Sequence, residues 1–180
     1  MTATLLRSRV CFLLSVFLLG MLATLQPAFA EAILFEARLM ANIPRFDACG
    51  NGVLICGTAS MSFFGDAAYT LTIDTLLPQP LACVAPSGTS TGGAYTATVT
   101  FTLPDGSTLT LSEEGLVCGP GASLAAPASW RTYGIPVDGS GRWSVQSATG
   151  QFAPFTGGGA DSFHTAGADF RIMYIGTLTR

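Results

Sequence analysis

Hydrophobic and polar residues alternate with a period of two along most of this chain. Ile33, Phe35, Ala37 and Leu39 interleave with Leu34, Glu36, Arg38 and Met40, the pattern of a strand with one apolar face. Ala59, Met61 and Phe63 alternate with Thr58, Ser60 and Ser62, and Tyr69, Leu71 and Ile73 with Thr70, Thr72 and Asp74. The sharpest case is Tyr95, Ala97, Val99, Phe101 and Leu103 against four threonines, Thr96, Thr98, Thr100 and Thr102. That spacing walks around a helix, so only a strand gathers the five apolar residues on one side. Leu109 and Leu111 continue the pattern, as do Trp143, Val145 and Ser147. In Phe170 to Arg180 the face of Phe170, Ile172, Tyr174 and Leu178 opposes one holding Met173 and Ile175. Apolar residues on both faces predict a central or covered strand.

Turn chemistry separates these runs. Pro104-Asp105-Gly106 predicts a tight hairpin, and Asp138-Gly139-Ser140-Gly141 reads as a second turn. Gly150 and Gly157 to Gly159 predict a late reversal whose Phe152 and Phe155 cap one end of the interior. Two proline-containing segments, Pro78 to Gly93 and Cys118 to Trp130, read as longer loops. No stretch after residue 30 has a helical period. The count is about eight antiparallel strands in an all-β fold. A closed barrel satisfies one apolar face per strand and removes exposed edges; a two-sheet β-sandwich is the alternative that periodicity leaves open.

Residues 1–30 have the form of an export signal. Arg7 and Arg9 precede an apolar run from Val10 to Leu25, and Ala28-Phe29-Ala30 sets cleavage between Ala30 and Glu31. The run is shorter than the roughly 18–20 residues of a comfortable membrane span. Cys11 is misplaced for lipid attachment, and Ser8 separates the arginines of any twin-arginine signal. The expectation is a single domain, 31–180, secreted or periplasmic, with no membrane span after processing.

That domain holds all 11 acidic residues, and the chain has no lysine. An acidic surface with scattered arginines argues against nucleic acid and anionic membranes as partners. Four cysteines remain in it, and an even count in an exported domain reads as two disulfides. Of the three pairings, Cys49–Cys56 and Cys83–Cys118 are favoured, the first closing a short loop and the second tying the two proline-containing segments together. Zinc is disfavoured, because there is no C-x-x-C and the one histidine, His164, lies far beyond Cys118.

The segments Phe101 to Gly121 and Gly141 to Gly159, with Thr149, Gly150 and Phe152, then Gly157 to Gly159, then Gly176-Thr177-Leu178, together resemble the secreted bacterial proteins of the allene oxide cyclase and dirigent-like barrel group. The resemblance covers about the last eighty residues. It implies an eight-stranded antiparallel barrel with an apolar interior. None of the catalytic residues of the plant cyclases maps onto a motif of this chain.

Candidate chemistry is sparse. The glycines of 150–159 lack the lysine and following helix of a phosphate loop, so they read as turns and a bulge. His164 with Asp161 and Ser162 invites a triad, but local spacing does not build one and there is no G-x-S-x-G. Glu113-Glu114 could supply one carboxylate of an acid–base pair, with Glu36, Asp74 or Asp161 as the other. Alternation from Leu109 and Leu111 sends Glu113 inward and Glu114 outward, although a strand-end charge in solvent is the simpler account. Tyr95, Phe101, Trp143 and Tyr174 are the residues expected to line a ligand space if the barrel is not filled. No catalytic set, cofactor motif or metal site stands out beyond Glu113. The reading is therefore a non-catalytic module, either structural or binding a small apolar molecule; the alternatives are an isomerase or cyclase acting inside the barrel, with Tyr95 or Tyr174 assisting, and a partner-binding protein.

Overall fold

A computed structural model describes residues 30–42, 54–85, 88–119, 137–166 and 169–180. Glu31–Arg180 forms one compact unit. Its strands are β1 (Ala32–Asn42), β2 (Leu54–Met61), β3 (Gly65–Ala85), β4 (Gly88–Thr102), β5 (Thr108–Gly119), β6 (Val137–Ala148), β7 (Thr156–Ala166) and β8 (Asp169–Thr179). Each pairs antiparallel with the next, and β8 pairs with β1, so the sheet closes into an eight-stranded barrel. The closed barrel, not the sandwich, is the fold.

The alternation predicted from sequence sets the inner wall. Phe35, Ala37, Leu39, Tyr69, Leu71, Ala97, Val99, Phe101, Leu109, Leu111, Tyr174 and Leu178 are all buried inside. One end is closed by the hairpin turns at 62–64 and 103–107 and by a 3-10 turn, Gly150–Phe152. There Phe64 packs on Phe152 and Phe155 at ring-centroid distances of 4.6 and 5.8 Å. Gly150, at φ +58°, turns the chain, and its lack of a side chain leaves room for Ser107. Ser107 is buried, donates to Asp105 Oδ2 and accepts from the Gln151 backbone N–H, each at 2.9 Å. This bond set ties the two turns together.

Several expectations are corrected. Pro78 to Gly93 is not a loop: β3 and β4 run through it as one long hairpin, with register shifts at Ile73/Thr75 and Gln79/Ala82. Pro80 falls inside the second shift, where no ladder hydrogen bond is required of it. Asp138 to Gly141 is strand, not turn, and Gly157 to Gly159 lies within β7; the reversal is made at 149–155 instead. Phe63 is not inward. It sits in the β2–β3 turn at φ 67° and is 78% exposed, while Phe64 takes the inner position. β8 is paired on both sides, but its outer face is uncovered among the described residues, and Met173 and Ile175 are exposed. Cys118 and Gly119 belong to β5; 120–130, like Cys49, lies outside the described residues.

Many glycines serve side chains on neighbouring strands. One inner row runs Tyr95, Gly115, Gly141, Asp161, Tyr174 across β4 to β8. A Cβ on Gly115 would lie 2.8 Å from the Tyr95 ring, and one on Gly141 2.7 Å from its hydroxyl oxygen. Tyr95 therefore lies flat across two strands. The next row runs Ala97, Glu113, Trp143, Gly159, Gly176, Phe35. Trp143 reaches Gly176, where a Cβ would lie 2.4 Å from its ring, and packs edge-on to Phe35 at 5.3 Å.

Candidate functional site

The two rows bring five polar groups into an apolar interior. Glu113, on β5, is 3% exposed, and Asp161, on β7, is 4% exposed. Parity along β5 places Glu113 inside, as Leu109 and Leu111 require; the alternative of a strand-end carboxylate in solvent is overturned. Among the described residues every arginine and His164 is exposed, so no cation shares the interior with these carboxyls.

Their partners are phenols. Tyr174, on β8, reaches across the interior and donates its hydroxyl hydrogen to Glu113 Oε1. Tyr95 lies along the glycine row and donates to Asp161 Oδ2 at 2.7 Å. Asp161 Oδ1 is buried with no hydrogen-bond partner among the described residues, as is the Tyr69 hydroxyl. Burial first, and then the nearby carboxyls of Asp161 and Asp74, push the Glu113 carboxyl up to about 8 against the lowering effect of the Tyr174 bond. Burial also raises Asp161, while its bonds from Tyr95 and the backbone oppose the rise. Tyr174 and Tyr95 are held far above the ordinary phenol range, first by burial and then by the carboxyl each one touches. A carboxyl near 8 is poised to hold or give up a proton at neutral pH.

Beside this cluster lies an interior void, displaced from the aromatic plug toward the opposite end of the barrel. Ile55, Ile73, Tyr95, Glu113, Phe163 and Phe170 are among its lining residues. The space open to the centre of a water-sized sphere is ≈ 20 Å³, room for about one water or one group of that size.

The structure separates the sequence candidates. Of the four residues expected to line a ligand space, only Tyr95 does so. Phe101 and Trp143 are packed core: Phe101 contacts Phe35 and Tyr174 at 6.3 and 5.9 Å, and the Trp143 indole N–H donates to the Ala160 carbonyl at 3.0 Å. Tyr174 serves Glu113 and does not line the void. Of the three carboxylates considered as partners of Glu113, only Asp161 joins it. Glu36 is bonded at 2.6 Å to Arg38, and Asp74 accepts from Thr98 on the outer face.

The triad does not form. His164 is exposed and bonded to Asp138, Ser162 is exposed, and Asp161 faces inward. Phe163 and Phe170, stacked at 6.2 Å, also line the void; alternation puts Phe170 on an apolar strand face and gives Phe163 no role. Among the described residues no group of three or more His, Cys, Asp or Glu side chains could hold a metal, and no helix is long and apolar enough to cross a membrane. No family model, curated protein or solved structure matches this chain.

Proposed function

We propose that this chain is an exported, disulfide-stapled barrel of the allene oxide cyclase-like kind that binds a small, largely apolar molecule without transforming it. The observation that carries the reading is the void at Tyr95 and Glu113. There a buried carboxyl, Glu113, held by the Tyr174 phenol, borders an apolar wall. A purely structural barrel gains nothing from burying such groups, because desolvating a carboxyl costs several kcal/mol that aliphatic side chains would not incur. A ligand present at about 100 times its Kd stabilises the folded state by about 2.7 kcal/mol. For a domain of this size that raises the melting temperature by about 5–10 °C. A panel of small apolar compounds should include at least one that does so and alters the intrinsic tryptophan fluorescence. A panel that leaves both readouts unchanged overturns the reading.

Export and the disulfides have their own test. Support comes from Cys56 and Cys118, neither of which stands as a free thiol; the side chain of Cys83 is outside the described set. Protein recovered after secretion should begin at Glu31 and label with no thiol reagent. Peptide mapping should return Cys49 with Cys56 and Cys83 with Cys118. A Cys49–Cys83 peptide would refute the pairing.

One observation favours a second reading, an isomerase or cyclase: Glu113 titrates near neutrality with Tyr174 against it. Turnover of an apolar substrate would then show a pH–rate ionisation near 8 that disappears in Glu113→Gln.

A further inference from the structure

We infer that the outer face of β1 and β8 joins two copies of this chain into a symmetric dimer. An antiparallel sheet with one buried face normally turns polar side chains to water on the other. The outward positions of β4 follow that rule with Thr96, Thr98, Thr100 and Thr102. β1 and β8 depart from it. Leu34, Met40, Met173 and Ile175 point outward and are between 38 and 63% exposed. Register makes them one patch. Leu34 lies opposite Thr177 and Met40 opposite Arg171, so Leu34 stands diagonal to Ile175 and Met40 diagonal to Met173, within reach of one another across one strand spacing. Ala160 on β7, the register partner of Ile175, extends the stripe, and Ser60 on β2 and Ser162 on β7 border it. An apolar stripe with a polar rim has the anatomy of a protein interface.

The order of the side chains identifies what docks there. Along β1 the outward residues read apolar, acid, base, apolar: Leu34, Glu36, Arg38, Met40. Beside them on β8 stand Thr177, Ile175, Met173 and Arg171 in the same direction, polar, apolar, apolar, polar. Both series complement themselves about one midpoint, the register pair Ala37 and Tyr174. A two-fold axis lying over that pair and crossing the strands sets β1 against β1 and β8 against β8 in opposite directions. Leu34 then meets Met40 of the second copy, Ile175 meets Met173, and Glu36 meets Arg38. Each contact is made twice, as an isologous interface requires. On β7 the same axis sets Ala160 against Ser162 and Gly158 against His164 of the second copy. None of these pairs opposes like charges. Within one chain Glu36 accepts from Arg38 Nε at 2.6 Å; across the axis two such pairs join into a network of two acids and two bases. A lipid surface would have to take both charges out of water along with the apolar residues, whereas a second copy gives each one its counter-charge.

The patch also sets the strength of the association. The barrel wall is convex across the strands, so contact centres on β1 and β8. Four outward residues per strand span about 20 Å, and two strands with their side chains about 10–15 Å. That lies toward the lower end of specific interfaces, so the dimer forms with a dissociation constant of about 10–100 µM.

The test is sedimentation velocity of the purified protein from about 1 to about 500 µM, a range that brackets the expected constant. The wild type should pass from monomer to dimer. Glu36→Arg and Arg38→Glu each set like charges against each other across the axis and should each weaken association at least about tenfold. Mixed in equal amounts, the two variants present opposite charges to one another and should associate within about threefold of the wild type. Ile175→Asp should stay monomeric, with circular dichroism at the lowest concentration reporting its fold. The charge variants alter only surface positions and decide the matter even where Ile175→Asp does not fold. A wild type that is still monomeric at about 500 µM overturns the inference. So does a dimer that persists undiminished in both charge variants, or one that their mixture fails to restore. The ligand-binding reading is untouched by any of these results, since its own test is the apolar panel.

Discussion

Gly176→Ala should lower the melting temperature by about 10 °C. Gly176 faces Gly159 on one side and Phe35 on the other. A methyl group there would stand 2.3 Å from the Gly158 carbonyl oxygen, 2.4 Å from the Trp143 ring and 2.8 Å from the Gly159 Cα. Two of those atoms are backbone in a paired strand, so relief requires β7 and β8 to separate. The third is an indole fixed by its bond to Ala160 and its contact with Phe35. Overpacking of this kind costs about 3 kcal/mol, which in a domain of this size is about 6–12 °C. Gly93→Ala provides the comparison, since its nearest contacts would be 3.3 Å and its cost should stay below about 1 kcal/mol. Thermal unfolding of both variants decides the matter: equal losses would show that backbone proximity at the Trp143 row is not what requires glycine.

The second large effect is a stability that declines as the solution becomes alkaline. Glu113 has its folded value raised to about 8 from an ordinary 4.5. Below 4.5 the carboxyl is protonated in both states, and the stability tied to its neutral form is fully present. Between 4.5 and 8 the unfolded chain loses the proton and the folded chain keeps it, so stability falls by up to about 1.4 kcal/mol per pH unit from this group alone. Above 8 the loss is complete. Asp161, also raised, acts in the same direction from 3.8 upward.

Asp105 opposes them in a different window. Its carboxyl is lowered, first by the Ser107 backbone N–H and then by Gln151 and the Ser107 hydroxyl, so its contribution is lost only in strong acid. Urea denaturation at pH 5, 7 and 8.5 should show a falling series in the wild type and a flatter one in Glu113→Gln. A series that rises with pH would show that Glu113 is not held neutral inside.

Alternation carried the barrel and one half of the site. Because an inner wall has period two, fixing Leu109 and Leu111 inside fixed Glu113 there as well. Asp161 was visible only as one of three possible partners. Its position depends on which residue of β7 stands opposite Gly141, and register between strands is not written in either strand alone. The glycines misled for a related reason. In Asp138 to Gly141 and Gly157 to Gly159 they resemble turn punctuation, yet Gly139 makes space for the Phe163 ring, Gly141 for Tyr95, and the three of β7 for the backbone of a neighbouring strand. Prolines in Pro78 to Gly93 suggested a loop because a ladder position normally needs an N–H; a register shift removes that need at Pro80. Phe63 and Phe64 are adjacent aromatics, and only the left-handed turn at Phe63 decides which of them enters the core.

The seam between β1 and β8 governs when this molecule can exist as a barrel. Ala32 pairs with Thr179, the Arg180 backbone N–H donates to the Glu31 carbonyl, and the Arg180 guanidinium Nε meets Glu31 Oε2 at 2.9 Å. These are contacts between residues almost as far apart in sequence as the domain allows. Every other strand pair is a neighbour in the chain and can form as soon as its second member is available. A chain emerging from a ribosome or a translocation pore can assemble seven strands in order but holds β1 as a bare edge until β8 arrives. Contacts of such long sequence separation are slow to form, and unpaired edges in the meantime invite association with other chains. The barrel is thus completed by its last strand in a single late step, and the interval before that step is when it is most exposed to aggregation.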